Sequence, residues 1–216
     1  MNAPAFIRAN TAVTPPPLVP EILLHLAHEA VPIWQKTEEE LNEIGLPPPF
    51  WAFAWAGGQA LARYVLDHPE TVRGRRIIDL ASGSGLVAIA AMKAGAATAL
   101  AADIDSFSHA AIELNAALNG AKLTVAIGDL LASPPPPTDV ILVGDLFYEK
   151  VLAERCFSWL CEASRKNIDV LIGDPGRCYL PRDRLEKIRE YSVPVSRDLE
   201  DATIKRSAVW RLSRNC

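Results

Sequence analysis

From Arg75 onward the chain alternates short β-rich runs with alanine- or leucine-rich stretches of helical period. The runs Arg76–Ala81, Thr98–Ala102, Leu123–Ile127, Val140–Gly144 and Val170–Gly173 read as strands. Strand–helix–strand repetition calls for a parallel sheet covered by helices on both faces. The tail differs, because Val193–Ser196 and Ala208–Leu212 read as strands with no long helix between them. This predicts a closing antiparallel hairpin. The class expected is therefore α/β, mostly parallel, with no internal repeat; Pro134–Pro137 is a stiff connector on one edge.

The region before Arg75 is more broken. Residues 1–17, with Thr14-Pro15-Pro16-Pro17 and little periodicity, read as a flexible arm preceding a single domain over 18–216. Apolar residues at Ile22, Leu23, Leu26, Ala27 and Ala30 predict a helix over Val19–Ala30, with Pro20 in its first turn. Pro47-Pro48-Pro49 interrupts the chain before an aromatic cluster in which Phe50, Trp51 and Phe53 are expected in the core. A helix over Gln59–Leu66 follows Gly57-Gly58 and stops at Asp67-His68-Pro69.

Composition excludes several function classes. Half of the 216 residues are hydrophobic, 22% are charged and the net charge is −4, so no broad cationic field is present to hold a phosphate backbone. Sequence-independent nucleic-acid binding is thereby disfavoured, whereas an acidic surface suits a substrate that offers a lysine. No uninterrupted apolar run reaches the roughly 18 residues of a membrane span. Met1–Pro17 lacks the charged start and apolar run of a secretory signal. Cys156, Cys161, Cys178 and Cys216 form no C-x-x-C pair and are expected as reduced thiols. A soluble cytoplasmic monomer is the expectation, without a metal: His25 and His28 lie three apart, but no third ligand is near in sequence.

The most informative segment is Ile77-Ile78-Asp79-Leu80-Ala81-Ser82-Gly83-Ser84-Gly85, an apolar strand running into a glycine turn that opens a helix at Leu86. Gly83 and Gly85 let backbone approach a ligand closely, yet Gly83 to Ala88 also satisfies the dinucleotide pattern G-x-G-x-x-G/A. Asp79 discriminates between ligands. A carboxylate beside the turn repels a pyrophosphate and attracts the sulfonium and ammonium of S-adenosylmethionine. The alternative is that Asp79 caps the following helix. Asp103, about 20 residues after the turn, closes the next strand where ribose hydroxyls need acceptors, unless it faces only water. Asp105 reads as the N-cap of the helix through Ala110 to Leu118. Asp129 either accepts from an adenine amino group or begins a turn.

These residues resemble the seven-β-strand methyltransferases, and with them a Rossmann-like, seven-stranded sheet. Gly144-Asp145-Leu146-Phe147-Tyr148 resembles the D-x-x-Y element of enzymes that methylate lysines of non-histone proteins. Three segments are similar to the electron transfer flavoprotein β-subunit lysine methyltransferases: Trp55 to Tyr64 (W-x-G-G-Q-A-L-x-R-Y), Gly144 to Tyr148 (G-D-x-F-Y) and Leu171 to Arg177 (L-I-G-D-P-G-R). The similarity spans Phe50 to Trp210, with Ala56 standing where proline is expected.

The resemblance implies S-adenosylmethionine as cofactor and lysines of the flavoprotein β subunit as substrate. In that family the target lysines lie on a surface loop that docks with dehydrogenase partners. It also implies roles for residues. Asp145 accepts hydrogen bonds from the amine, Tyr148 walls the lysine channel, Trp55 packs against the methionine end of the cofactor, and Gly144 leaves room for it; the residues of Asp145 to Tyr148 alone also read as a plain helix start capped by Asp145. Asp174 and Arg177 either grip the substrate or form an internal ion pair. The rivals are a methyltransferase for another protein lysine or a small-molecule amine, a nicotinamide oxidoreductase, and a binding module without turnover.

Overall fold

The computed structural model describes residues 2–27, 48–195 and 203–213. Strands β3 (Arg76–Leu80), β4 (Thr98–Asp103), β5 (Thr124–Ile127), β6 (Val140–Gly144), β7 (Asp169–Asp174), β8 (Leu185–Pro194) and β9 (Ile204–Leu212) form a seven-stranded sheet in the order β5-β4-β3-β6-β7-β9-β8. The first five pair in parallel, while β9 runs antiparallel to both β7 and β8. The mostly parallel sheet with a closing hairpin expected from the alternation is what the chain forms. β8 starts earlier than expected. Its charged residues Glu186, Lys187, Arg189 and Glu190 hide the strand period, as suits an exposed sheet edge.

The central strands are buried on both faces, which is why they are apolar almost throughout. Ile77, Val140, Leu142 and Leu171 pack on one face with helices α2 (Ala56–Asp67) and α3 (Leu86–Lys93). Ile78, Leu80, Ile141, Val143 and Ile172 pack on the other with α5 (Lys150–Arg165). Helix α4 (Ser106–Leu118) is capped by Asp105, whose side chain accepts from the Phe107 N–H, as expected. No helix among the described residues is long and apolar enough to cross a membrane.

Three expectations need correction. The first seventeen residues carry helix α1 (Ala3–Asn10), with Ile7 fully buried, and strand β1 (Ala12–Thr14). The stretch read as a helix over Val19–Ala30 instead turns and forms β2 (Leu24–Leu26), antiparallel to β1; Ala30 lies outside the described residues. The reason is tertiary. Asn115 of α4 accepts from the His25 N–H at 2.8 Å, and Asn119 both accepts from the Leu23 N–H and donates to the Leu23 carbonyl. These bonds satisfy the backbone without a helix, and Val19, Ile22 and Leu24 still reach the core. Finally, Cys161 is disulfide-bonded, whereas Cys156 and Cys178 are free; spacing alone gives no sign of such a bond. Cys216 and His28 lie outside the described residues, and His25 is buried with its Nδ1 3.1 Å from the Thr11 hydroxyl.

Helix α2 meets the sheet through glycines. A Cβ at Gly173 would overlap the Gly57 carbonyl oxygen and come within 2.7 Å of the Leu61 side chain. A Cβ at Gly144 would lie 3.0 Å from the Gly58 Cα. Gly173→Ala should therefore destabilise the protein by about 1–3 kcal/mol in guanidinium chloride unfolding. Gly58→Ala, where nothing lies within 4 Å of the added carbon, should leave the midpoint unchanged or raise it. Asn115 is fully buried and also donates to the Ser84 carbonyl at 2.8 Å. Asn115→Ala should cost about 2–3 kcal/mol, because it leaves a buried donor and a buried acceptor unpaired; an unchanged denaturation midpoint would refute this.

Candidate active site

Strand β3 has β4 on one side and β6 on the other, so the chain direction across the sheet reverses between β3 and β6. At such a point the loops leaving the carboxyl ends diverge and open a crevice. Each strand is followed there by a non-glycine residue in the left-handed region: Ala81 after β3 and Asp145 after β6, both with φ +54°. Such conformations persist only where the surroundings impose them, and they gather at functional sites.

On the β3 side the turn runs through Gly83 (φ +55°) and Gly85 (φ +82°), the latter capping α3. Asp79 is buried beneath it. Its Oδ2 accepts from the Ser82 hydroxyl at 2.5 Å and from the Ala88 N–H in the first turn of α3 at 3.0 Å. The helix-capping alternative is thus realised, and the carboxylate still lies under the turn. Burial pushes its pKa up to about 7; the two hydrogen bonds oppose this and the Asp103 charge adds to it. Asp103, half-buried at the end of β4, accepts from the Gly83 N–H at 2.8 Å through Oδ2 and from the Asp105 N–H at 3.0 Å through Oδ1. Each oxygen keeps a lone pair for a further donor. Beside it Ile104 is 73% exposed, an apolar side chain with no protein surface to cover. Asp129 follows the turn alternative: Oδ1 accepts from the Leu131 N–H, and Oδ2 pairs with Arg155 at 2.6 Å.

On the β6 side stands Asp145, 8% exposed. Its Oδ2 accepts from the Gly57 N–H and, at 3.2 Å, from the Gly58 N–H. Trp55, at the N-cap of α2, offers that helix no side-chain bond, so Asp145 caps it across space. The helix after Asp145 is capped instead by Glu149. Asp145 Oδ1 receives Arg177 through Nε at 3.0 Å and Nη2 at 2.9 Å. Burial pushes its carboxyl up to about 6, Arg177 lowering and Asp174 raising it.

Arg177 is placed by the loop after β7. Asp174 Oδ1 accepts from the Gly176 and Arg177 N–H groups at 2.6 and 2.7 Å, and the Arg177 guanidinium sits 6.0 Å over the Trp55 ring. Of the two expected roles for Asp174 and Arg177, the internal one is therefore present, but the ion pair joins Arg177 to Asp145 while Asp174 shapes the loop. Trp55 donates its indole N–H to the Phe50 carbonyl at 3.0 Å.

Phe50 is a further correction. Trp51 and Phe53 are core residues, but Phe50 is 45% exposed, with its ring 6.0 Å from Trp55 and 5.8 Å from the exposed Tyr148. Phe50, Ile104 and the exposed Tyr179, whose N–H donates to the Phe147 carbonyl, are rim residues that the sequence reading missed. Ile104 had a signal, being an apolar residue next to the strand-ending Asp103. Phe50 had none, since an aromatic cluster does not say which ring faces out.

The arrangement suits a cationic nucleoside. Backbone in the left-handed region clears the turn, Asp79 lies beneath it, Asp103 has acceptor capacity at its edge, and apolar Ile104 and Phe50 flank it. Among the described residues no group of His, Cys, Asp and Glu could hold a metal ion.

Residues 59–146 match the family described as ribosomal protein L11 methyltransferase (PrmA). The chain is 39% identical over 212 residues to the electron transfer flavoprotein beta subunit lysine methyltransferase of Xenopus laevis, covering 95% of this chain and 85% of that one. The Homo sapiens enzyme of the same name is 38% identical over 213 residues, covering 95% and 80%. Among solved structures, a ribosomal protein L11 methylase from Lactobacillus delbrueckii subsp. bulgaricus superposes with a TM-score of 0.51 at 25% identity, covering 73% of this chain and 79% of that one. Identity of this extent, with the sheet order and the strand-end carboxylates, shows that the chain belongs to the electron transfer flavoprotein β-subunit lysine methyltransferase family, protein-lysine N-methyltransferases on a Rossmann-like fold.

Proposed function

We propose that the protein transfers methyl groups from S-adenosylmethionine to lysine side chains of the electron transfer flavoprotein β subunit. The observation that carries this reading is Asp145, a buried carboxylate at the mouth of the crevice with aromatic rings beside it. The shared name of the relatives, which align along nearly the whole chain, supplies the substrate. Asp103 and the turn at Gly83 would hold the nucleoside, Asp79 would favour the cationic end through space, and Trp55 would pack against the methionine end. When bound, the donor supplies a methyl group on a sulfonium, ready for in-line attack.

The protein's own task is to deliver an amine with a free lone pair. A lysine of pKa about 10.4 pays roughly 4 kcal/mol to be neutral near pH 7.4. A cationic neighbour and the apolar rim of Phe50, Tyr148 and Trp55 reduce that cost, because both disfavour the ammonium. Asp145 Oδ1 accepts the amine's hydrogen bond and aims its lone pair, and Tyr148 forms one wall. Positioning accounts for much of the remaining acceleration.

Mass spectrometry of purified flavoprotein after incubation with enzyme and donor should show lysine methylation confined to the β subunit; an unmodified subunit would reject the assignment. Asp145→Asn keeps an acceptor for the Gly57 and Gly58 N–H groups, so it should fold. It should lower kcat by about 10²–10⁴-fold while calorimetric donor affinity stays near wild type. Asp79 gives a pH test. Its pKa is raised to about 7, so it is largely protonated below that value and charged above it. A cationic donor prefers the charged form, hence affinity should rise with pH through about 7, and Asp79→Asn should flatten the rise. Parallel profiles in the two proteins would remove Asp79 from the site.

A further inference from the structure

We propose that Arg177 is a built-in occupant of the substrate-lysine position: its guanidinium holds the place at Asp145 Oδ1 that the target ammonium takes, and it is exchanged for that ammonium when the substrate docks. This rests on the lysine-methylating reading above and names the residue that decides which side chains gain entry.

The geometry leaves one oxygen to contest. Asp145 Oδ2 is committed to the Gly57 and Gly58 N–H groups, which anchor α2. Only Oδ1 remains for an amine, and Arg177 covers it with two donors at 3.0 and 2.9 Å. The same guanidinium lies 6.0 Å over the Trp55 ring, so a carboxylate and an aromatic face bracket a cation. An ammonium on a flexible stem needs the same two neighbours. Arg177 is also able to leave. It sits three residues after the end of β7, next to Gly176 at φ +94°, and its side chain is 23% exposed, against 7% for that of Asp145.

Charge balance makes the exchange selective. Removing the guanidinium alone would leave a buried carboxylate without a counterion, a costly state. An incoming lysine replaces cation with cation, so Asp145 is never bare, whereas a neutral side chain provides no compensation and is refused. Arg177 is the main influence holding the Asp145 carboxyl down against burial. The ammonium that replaces it, unlike a guanidinium, can give up its proton, and once it does no cation is left at Oδ1 to hold the carboxyl down. The proton passes from the lysine nitrogen to Asp145, which becomes neutral and leaves the amine's lone pair free.

The test compares full-length wild type, Arg177→Ala and the Arg177→Ala/Asp145→Asn double variant. n-Butylammonium, a lysine side-chain mimic, should raise the Tm of Arg177→Ala by about 2 °C and leave the other two unmoved. Absence of that selective stabilisation overturns the proposal, whether or not the flavoprotein is the substrate. In turnover with flavoprotein, Arg177→Ala should lower KM for the protein by roughly threefold to tenfold. Low-millimolar guanidinium should then inhibit the variant competitively against protein substrate, with wild type indifferent at that concentration. Guanidinium that instead restores kcat to the variant would mean the cation must stay during reaction, and would overturn the exchange. Should Arg177→Ala fail to bind donor, Arg177→Gln is put through the same binding and inhibition assays. Failure of wild type to methylate any flavoprotein lysine strikes the functional reading, and the n-butylammonium result still decides the gate.

Discussion

The carboxylate of Asp145 joins the start of helix α2 to the ends of β6 and β7. A helix begins with N–H groups that lack partners and with partial positive charge, and α2 carries no capping side chain of its own. Asp145, held in a left-handed conformation with its N–H donating to the Gly173 carbonyl at 2.9 Å, supplies the missing acceptor. Burying a carboxylate is unfavourable unless it is paired, and here the helix terminus and Arg177 share that task. The glycines follow from it. Backbone must touch backbone at Gly57, Gly144 and Gly173, because a side chain at any of the three would push helix and strands apart. Without that contact the carboxylate would lose its place as well as its partners.

The three segments that carry the family resemblance are far apart in sequence and meet at this point. Gly57 and Gly58 lie in the first, Gly144 and Asp145 in the second, and Gly173, Asp174 and Arg177 in the third. Each loses meaning when taken alone, since a glycine pair opening a helix or an aspartate closing a strand has an ordinary local explanation. Together they are one contact recorded three times along the chain. The glycine turn at Gly83 forms the other half of the crevice and belongs to a broader class of proteins, in line with the family match that covers only residues 59–146.

What could be read from sequence followed how local the governing forces are. The parallel strands were legible because a strand buried on both faces has few alternatives, and Asp105 was legible because a cap acts within its own turn. The helical period over 19–27 misleads because the backbone partners of Leu23 and His25 are Asn119 and Asn115, some ninety residues away. For the same reason the arm could not be seen to carry Ile7 into the core, nor Phe50 to face outward. At the site, the residues themselves were identifiable by type and spacing. Their pairing was not: nothing in the order of residues says that Arg177 joins Asp145, or that Asp145 caps a helix that begins nearly ninety positions earlier.

Asn115 ties two distant stretches of backbone together directly. It holds the His25 backbone with one end of its amide and the Ser84 carbonyl with the other, so the N-terminal strand pair and the glycine turn share one buried side chain. The early residues thus pack behind the glycine turn. Whatever pulls on them, a fused tag or a neighbouring protein, pulls through that amide on the glycine turn.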